Sequence, residues 1–213
     1  MASPDVLARI DHLVYAAADL DRGIAEVERL LGVRASVGGR HPVWGTRNAL
    51  ASLGPSSYLE IIAPDPDQLP SAGGHPFGLD AAGASRLVGW AAKGSGLEKF
   101  RDGAAQQGVE LGKVQSGSRI QPNGAVLTWT LTDPRCVVAD GIAPFFIDWG
   151  KSPHPALLAA QGATLVGLRA EHPHADRVRQ MLRAIAVDLP VSAGAVPALM
   201  ASIDCPRGCI VLK

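Results

Sequence analysis

Residues 9–17 are short, apolar-rich and bounded by a turn, as a buried strand should be, and Ile10, His12, Val14 and Ala16 fall on one face. Asp19 then stands where a helix N-cap belongs, Leu20, Ile24, Val27 and Leu31 recur at helical spacing, and Gly32 supplies the stop. Three further apolar runs, 33–37, 49–53 and 58–63, are separated by Gly-Gly and Gly-Pro-Ser-Ser breaks and read as strands. In the last of these, Glu60 shares a face with Tyr58 and Ile62. The order is strand, helix, strand, strand, strand.

The same order returns over 85–150. Leu97 and Phe100 mark a weaker helix that ends at Gly108, and strands are expected near 109–114, 127–132 and 142–149. Laying one stretch on the other puts Val14-Tyr15-Ala16-Ala17 on Gly89-Trp90-Ala91-Ala92 and Leu59-Glu60-Ile61 on Phe145-Phe146-Ile147. His12 then falls opposite Leu87, and Glu60 opposite Phe146. A polar pair present in only one copy of a repeat implies a lopsided site.

The pattern predicts an α+β fold of two βαβββ modules, at 9–63 and 85–150, whose strands form a curved half-barrel sheet with helices outside and a cavity inside. Residues 64–84 are rich in Pro, Gly, Asp and Ala, lack periodicity and read as a linker. After Gly150 a C-terminal extension, 151–213, carries strand-like 164–170, a helix built on Val178, Met181, Leu182 and Ile185, and a strand pair near 199–203 and 209–212. It reads as a partial third module packed on the core.

Composition narrows the function. Across 213 residues Lys+Arg and Asp+Glu balance at 20 each, so no basic field is available for nucleic acid or an anionic membrane, and a small-molecule partner is expected. There is no signal-peptide pattern and no apolar run of about 20 residues, and Cys136, Cys205 and Cys209 do not make a secreted disulfide framework, so a cytoplasmic protein is expected. Cys205-Pro-Arg-Gly-Cys209 reads as a hairpin turn rather than a metal or redox motif, and His172 and His174 as caps at a helix start. No phosphate-loop or dinucleotide fingerprint occurs.

The stretches DHLVYAAADLDRGI, HPVWGTRN, YLEIIAPDP and APFFIDWG resemble the glyoxalase-like domain branch of the vicinal oxygen chelate (glyoxalase/bleomycin resistance/dioxygenase) superfamily, over roughly residues 9–150. In metal-using members the ligands come from the first and last strands of each module, and the resemblance maps His12 and Glu60 onto those positions. An imidazole nitrogen and a carboxylate facing one cavity suit a divalent ion such as Zn, Ni, Mn or Fe. The alternative is a hydrogen-bonded core pair with no ion. Two protein ligands are too few, and Asp148, then His41, are the candidates for a third. Glu60 or Asp148 is the candidate base.

Residues 40–48, RHPVWGTRN, suit a pocket edge, with Trp44 as an apolar wall, Arg47 as a carboxylate or phosphate clamp and Asn48 as an orienting amide. Arg119 occupies the matching position of the second unit, and Phe146, by strand parity, is expected to face the cavity opposite Glu60. The expected function is a metal-dependent lyase, isomerase or dioxygenase acting on a small oxygenated compound. A metal-free protein that sequesters a small molecule is the alternative. Modules of this superfamily also pair between chains, which implies a homodimer.

Overall fold

Residues 4–69, 73–80, 83 and 85–213 are described in a computed structural model. A short helix, α1 (Pro4–Arg9), precedes strand β1 (Ile10–Ala16). The first long helix, α2 (Leu20–Leu31), begins where the Asp19 carboxylate accepts the Arg22 N–H and ends at Gly32, whose φ of 72° suits a residue without Cβ. Its apolar stripe, Leu20, Ile24, Val27 and Leu31, is buried against the sheet. Gly23 allows the close approach, since a Cβ there would lie 2.7 Å from Ala17 Cβ and 2.8 Å from Ile61 Cγ2. Strands β2 (Ser36–His41), β3 (Thr46–Gly54) and β4 (Ser57–Pro64) follow.

The second run is β5 (Arg86–Lys93), α3 (Leu97–Gln106), β6 (Val114–Ile120), β7 (Val126–Thr132) and β8 (Phe145–Asp148). These eight strands form a mixed sheet in the order β1-β4-β3-β2-β6-β7-β8-β5, and its curvature is carried to closure, giving a barrel within one chain. One seam, β1 against β5, is a long antiparallel pairing with Leu13 opposite Trp90. The other, β2 against β6, rests on a single register pair, Arg40 with Ile120. Gly39 makes this second seam possible: its φ is 148°, and a Cβ would run into the Ile120 carbonyl oxygen.

Strand β6 lies several residues later than the expected 109–114. Its sequence, VQSGSRI, has no apolar alternation, because its inward positions are Gly117 and Arg119. Gly117 is the floor under the Trp129 indole, which a Cβ would meet. The larger neighbour fills the space, so the strand carries no hydrophobic signal.

Alternation along the barrel strands separates two interiors. Outward residues such as Leu13, Tyr15, Leu59, Ile61 and Trp90 join α2 and α3 in the main hydrophobic core. The C-terminal residues add β9 (Thr164–His172), α4 (Ala175–Ala184), β10 (Val191–Ala193), β11 (Ala198–Cys205) and β12 (Gly208–Leu212), with a separate sheet in the order β10-β9-β11-β12. Leu168, Ala170, Leu199, Ala201 and Ile203 of this sheet are part of the same core, which fixes it on the outside of the barrel. Cys205 pairs with Gly208 across the β11–β12 turn, and all three cysteines are free. His172 donates to Asp140 at 2.9 Å while its Nδ1 accepts the His174 N–H. Among the described residues no helix is long and apolar enough to cross a membrane.

Candidate functional site

The second interior, inside the barrel, is where polar groups collect. His12 on β1, His41 at the end of β2, Asn48 on β3, Tyr58 and Glu60 on β4 and Arg119 on β6 all line one cavity with Trp44, Trp129, Phe145 and Trp149. The free volume is about 20 Å³, enough for about one water molecule. His12, His41, Asn48, Glu60 and Arg119 are each 7% exposed or less, so every polar atom there needs a partner.

The β1–β5 register shifts between Ile10 and His12, and beside this irregularity the adjacent side chains of Asp11 and His12 meet, Nδ1 to Oδ1 at 2.8 Å. A carboxylate only accepts, so Nδ1 carries the hydrogen and donates it. Asp11 also receives the Trp149 Nε1–H at 3.1 and 3.2 Å and the His154 Nε2–H at 3.2 Å. The tautomer of His154 follows from its other nitrogen, Nδ1, which accepts the Ala156 N–H. Burial works to raise the Asp11 carboxyl, but the hydrogen bonds from His12 and His154 outweigh it and hold the group well below the usual carboxylate range.

With Nδ1 engaged, His12 turns Nε2 toward Glu60 Oε2 at 3.6 Å, too long for a hydrogen bond. Tyr58 stacks on the imidazole, centroids 4.7 Å apart, and Phe145 meets its edge at 5.5 Å. The other Glu60 oxygen, Oε1, accepts the Asn48 amide at 2.6 Å and lies 3.9 Å from His41 Nε2. His41 is fixed from behind by Thr46 Oγ1, 2.9 Å from its Nδ1. Burial pushes His41 down to about 4, so its ring is neutral at neutral pH. Burial, then the charges of Asp11 and Glu60, drive the Tyr58 phenol well above its ordinary value.

His12 Nε2 and one Glu60 oxygen therefore face each other with lone pairs, while the Asn48 amide reaches both Glu60 Oε1 and, at 3.4 Å, His41 Nε2. Around a tetrahedral ion with bonds of about 2.1 Å, neighbouring ligand atoms lie about 3.4 Å apart, close to the 3.6 Å between His12 and Glu60. Among the described residues no group of three or more His, Cys, Asp or Glu side chains is already arranged to hold a metal ion. The spacing of His12 and Glu60 matches a shared ion, and His41 stands one step further out.

Several expected site residues lie elsewhere. Phe146 faces outward, packed on Phe100 with centroids 4.4 Å apart in the main core, and Phe145 takes the cavity position. The reason is strand parity: the β5–β8 pairing sets Ala91 against Phe145, where the β1–β4 pairing sets Val14 against Glu60, so Phe145 and not Phe146 takes the inward face. Asp148 shares the outward face of Phe146. It lies in a shallow groove with Leu97 and Thr130 and accepts the Gly150 N–H, away from His12 and Glu60. Arg47 also points outward from β3, 3.8 Å from Asp19 at the start of α2, and is no clamp for the cavity. Trp44, Asn48, Arg119 and His41 do line it.

Asp11 and His154 are site residues that the local sequence pattern does not mark. The adjacency of Asp11 and His12 was the available signal, hidden because strict alternation sends neighbours to opposite faces.

Residues 10–186 match the model of the glyoxalase-like domain, and the chain belongs to that family, a branch of the vicinal oxygen chelate superfamily. No curated protein matches the chain. Among solved structures, a hypothetical protein from Staphylococcus aureus is similar at 14% identity, covering 88% of this chain and 87% of its own, with a TM-score of 0.66. The methylmalonyl-CoA epimerase of Mycobacterium tuberculosis is similar at 21% identity over 69% of this chain and 91% of its own, with a TM-score of 0.42. The likeness to the Staphylococcus aureus protein concerns the fold alone.

Proposed function

We propose that this protein is a metal-dependent lyase, isomerase or related enzyme that acts on a small oxygenated organic substrate inside the barrel. The observation that carries the reading is the approach of His12 Nε2 to Glu60 Oε2 at 3.6 Å, two acceptors that face each other, with His41 Nε2 3.9 Å from the other Glu60 oxygen. A cation or a proton between the two facing acceptors would relieve their repulsion. His12 and Glu60, with His41 as third ligand, are the residues to hold a divalent ion. Bound there, the ion would supply positive charge to substrate oxygens as negative charge develops on them.

The remaining roles belong to the chain. Asp11 keeps His12 in the tautomer that presents Nε2, as carboxylate partners of ligating histidines do. Glu60 is the group placed to accept a proton from the carbon next to a bound oxygen, and the Asn48 amide steadies the oxygen it does not use. Tyr58, Phe145 and the indoles of Trp44, Trp129 and Trp149 exclude water from the transfer. Entry requires movement, because about 20 Å³ cannot admit a substrate. Phe145 and Phe77 are the side chains to move: they form the wall shared with an outer groove of about 540 Å³, and Phe77 is held at a φ of 62°, a costly conformation for a residue with Cβ.

Metal content of tag-free protein, measured by inductively coupled plasma mass spectrometry beside His12→Ala and Glu60→Gln, tests this directly. Near-stoichiometric metal that disappears in the variants supports the reading. No metal in any of them, even after reconstitution, sinks it. The second reading, a metal-free sequestering protein, is favoured by the aromatic lining of the cavity, and tight ligand binding in chelator without turnover would decide for it. A cytoplasmic site of action and a homodimer belong to the same proposal. Both barrel seams pair within the chain, so a dimer would use another face, and sedimentation equilibrium reads the mass.

A further inference from the structure

Arg119 is 3% exposed, its Nε has no hydrogen-bond partner, and among the described residues no carboxylate lies within ion-pair distance of it. Glu60, the carboxylate that lines the central cavity with Arg119, lies beyond ion-pair distance of it, with one oxygen taken by Asn48 and the other turned to His12. A guanidinium cannot shed its charge to escape burial, so an unpaired one is a standing cost that a bound anion would remove. Arg40 and Arg47 differ in having carboxylates within reach, Asp65 and Asp67 for the first and Asp19 at 3.8 Å for the second.

The guanidinium also has somewhere to receive a ligand. Besides the central cavity, Arg119 lines a recess of about 240 Å³ whose other walls include Gly38, Leu50, Leu127, Pro153, Pro155 and Leu158. No acidic side chain lines the recess, and Arg119 is its single charged group. Gly38 leaves the guanidinium uncovered, since a Cβ there would stand 3.0 Å from Nη1. A recess with mostly apolar walls, Ser36, Gln121 and Asn123 as its uncharged polar members and one buried cation beside the central cavity suits a monoanion attached to an apolar body.

We propose that Arg119 binds the carboxylate of an organic acid, with its apolar or aromatic body seated between Leu50, Leu127 and Leu158. The acid's role as substrate rests on the enzyme reading above, but the anion site does not depend on it. One guanidinium forms two parallel hydrogen bonds with a carboxylate, which satisfies both partners without further donors. A phosphate dianion would keep an unmatched charge in the same recess.

Benzoate and its uncharged near-isostere benzamide are the probes, titrated by calorimetry and by the fluorescence of Trp129 and Trp149, with chelator and then with added zinc. The expected result is benzoate bound at least about tenfold more tightly than benzamide in both conditions. Arg119→Met should bring benzoate down to the benzamide affinity, and Arg119→Lys should retain part of the preference, because the ammonium keeps the charge but not the paired geometry. Equal affinities in the unaltered protein, no benzoate binding at millimolar concentration, or an undiminished preference in Arg119→Met would each overturn the proposal. If near-ultraviolet circular dichroism shows that Arg119→Met does not fold, the unaltered protein and Arg119→Lys decide by the same ratio. Failure of the metal centre would appear as absent metal with the benzoate preference intact, and failure of the anion site as metal present without it.

Discussion

His12 donates from Nδ1 to the carboxylate of Asp11, its neighbour in sequence, at 2.8 Å, while the opposite side of the ring faces Glu60 at 3.6 Å. One imidazole thus stands between two buried carboxylates with different duties. Asp11 collects donors and fixes the ring, and Glu60 keeps an oxygen directed at the site.

Asp11→Asn separates these duties. The amide cannot accept from His12, His154 and Trp149 together, so stability should fall by about 3 kcal/mol. Affinity for the added ion should fall about 10- to 100-fold as the His12 ring loses its tether. Urea unfolding and a competitive metal titration give the two values, and no change in either would make Asp11 a bystander.

Acid should weaken the metal-free fold through His41. Its ring takes a proton near 4 when folded but near 6.5 when unfolded, so between those values the unfolded chain binds more protons. The stability contributed is fully present above pH 6.5 and is lost as pH falls toward 4, about 3 kcal/mol at most. In chelator, His41→Gln should be less stable at pH 7 but show a flatter decline over that window. Parallel decline of both proteins in denaturant midpoints would contradict the assignment.

Phe145 and Phe146 should behave differently although they are adjacent. Phe146→Ala removes a fully buried ring from the main core and should cost about 3–5 kcal/mol while leaving metal content unchanged. Phe145→Ala opens the wall between the cavity and the outer groove, and should speed ion exchange by a small-molecule chelator several-fold. Stopped-flow chelation and thermal unfolding distinguish them, and identical profiles would mean that the two rings do not divide in this way.

Gly39→Ala should strike the weaker seam. The added Cβ meets the Ile120 carbonyl oxygen at an unfavourable φ, and β2 and β6 have only the pairing of Arg40 with Ile120 to lose. A destabilisation of about 2–4 kcal/mol is expected, with faster amide hydrogen exchange confined to β2 and β6. Exchange that rises evenly through the barrel would place the strain elsewhere.

Local pattern was enough for much of the architecture. The Asp19 cap, the Leu20–Leu31 stripe and the apolar runs at 9–17 and 58–63 announce a strand, helix and strand that the structure contains, and His12 and Glu60 could be read as members of inward faces. Pattern failed where a neighbour in space had replaced it. Gly117 and Arg119 erase the signal of β6 because Trp129 occupies the volume their strand would otherwise fill.

By itself, then, the sequence determined the α+β class, the curved sheet with helices outside and the one-sided polar pair, because period and capping are properties of residues a few positions apart. Only the tertiary structure decided which of Phe145 and Phe146 turns inward, that Asp11 stands behind His12, and that Arg119 is buried without a partner. A one-residue change of register inverts every face of a strand, and a buried charge is defined by what surrounds it, so neither can be read from the chain before it closes on itself.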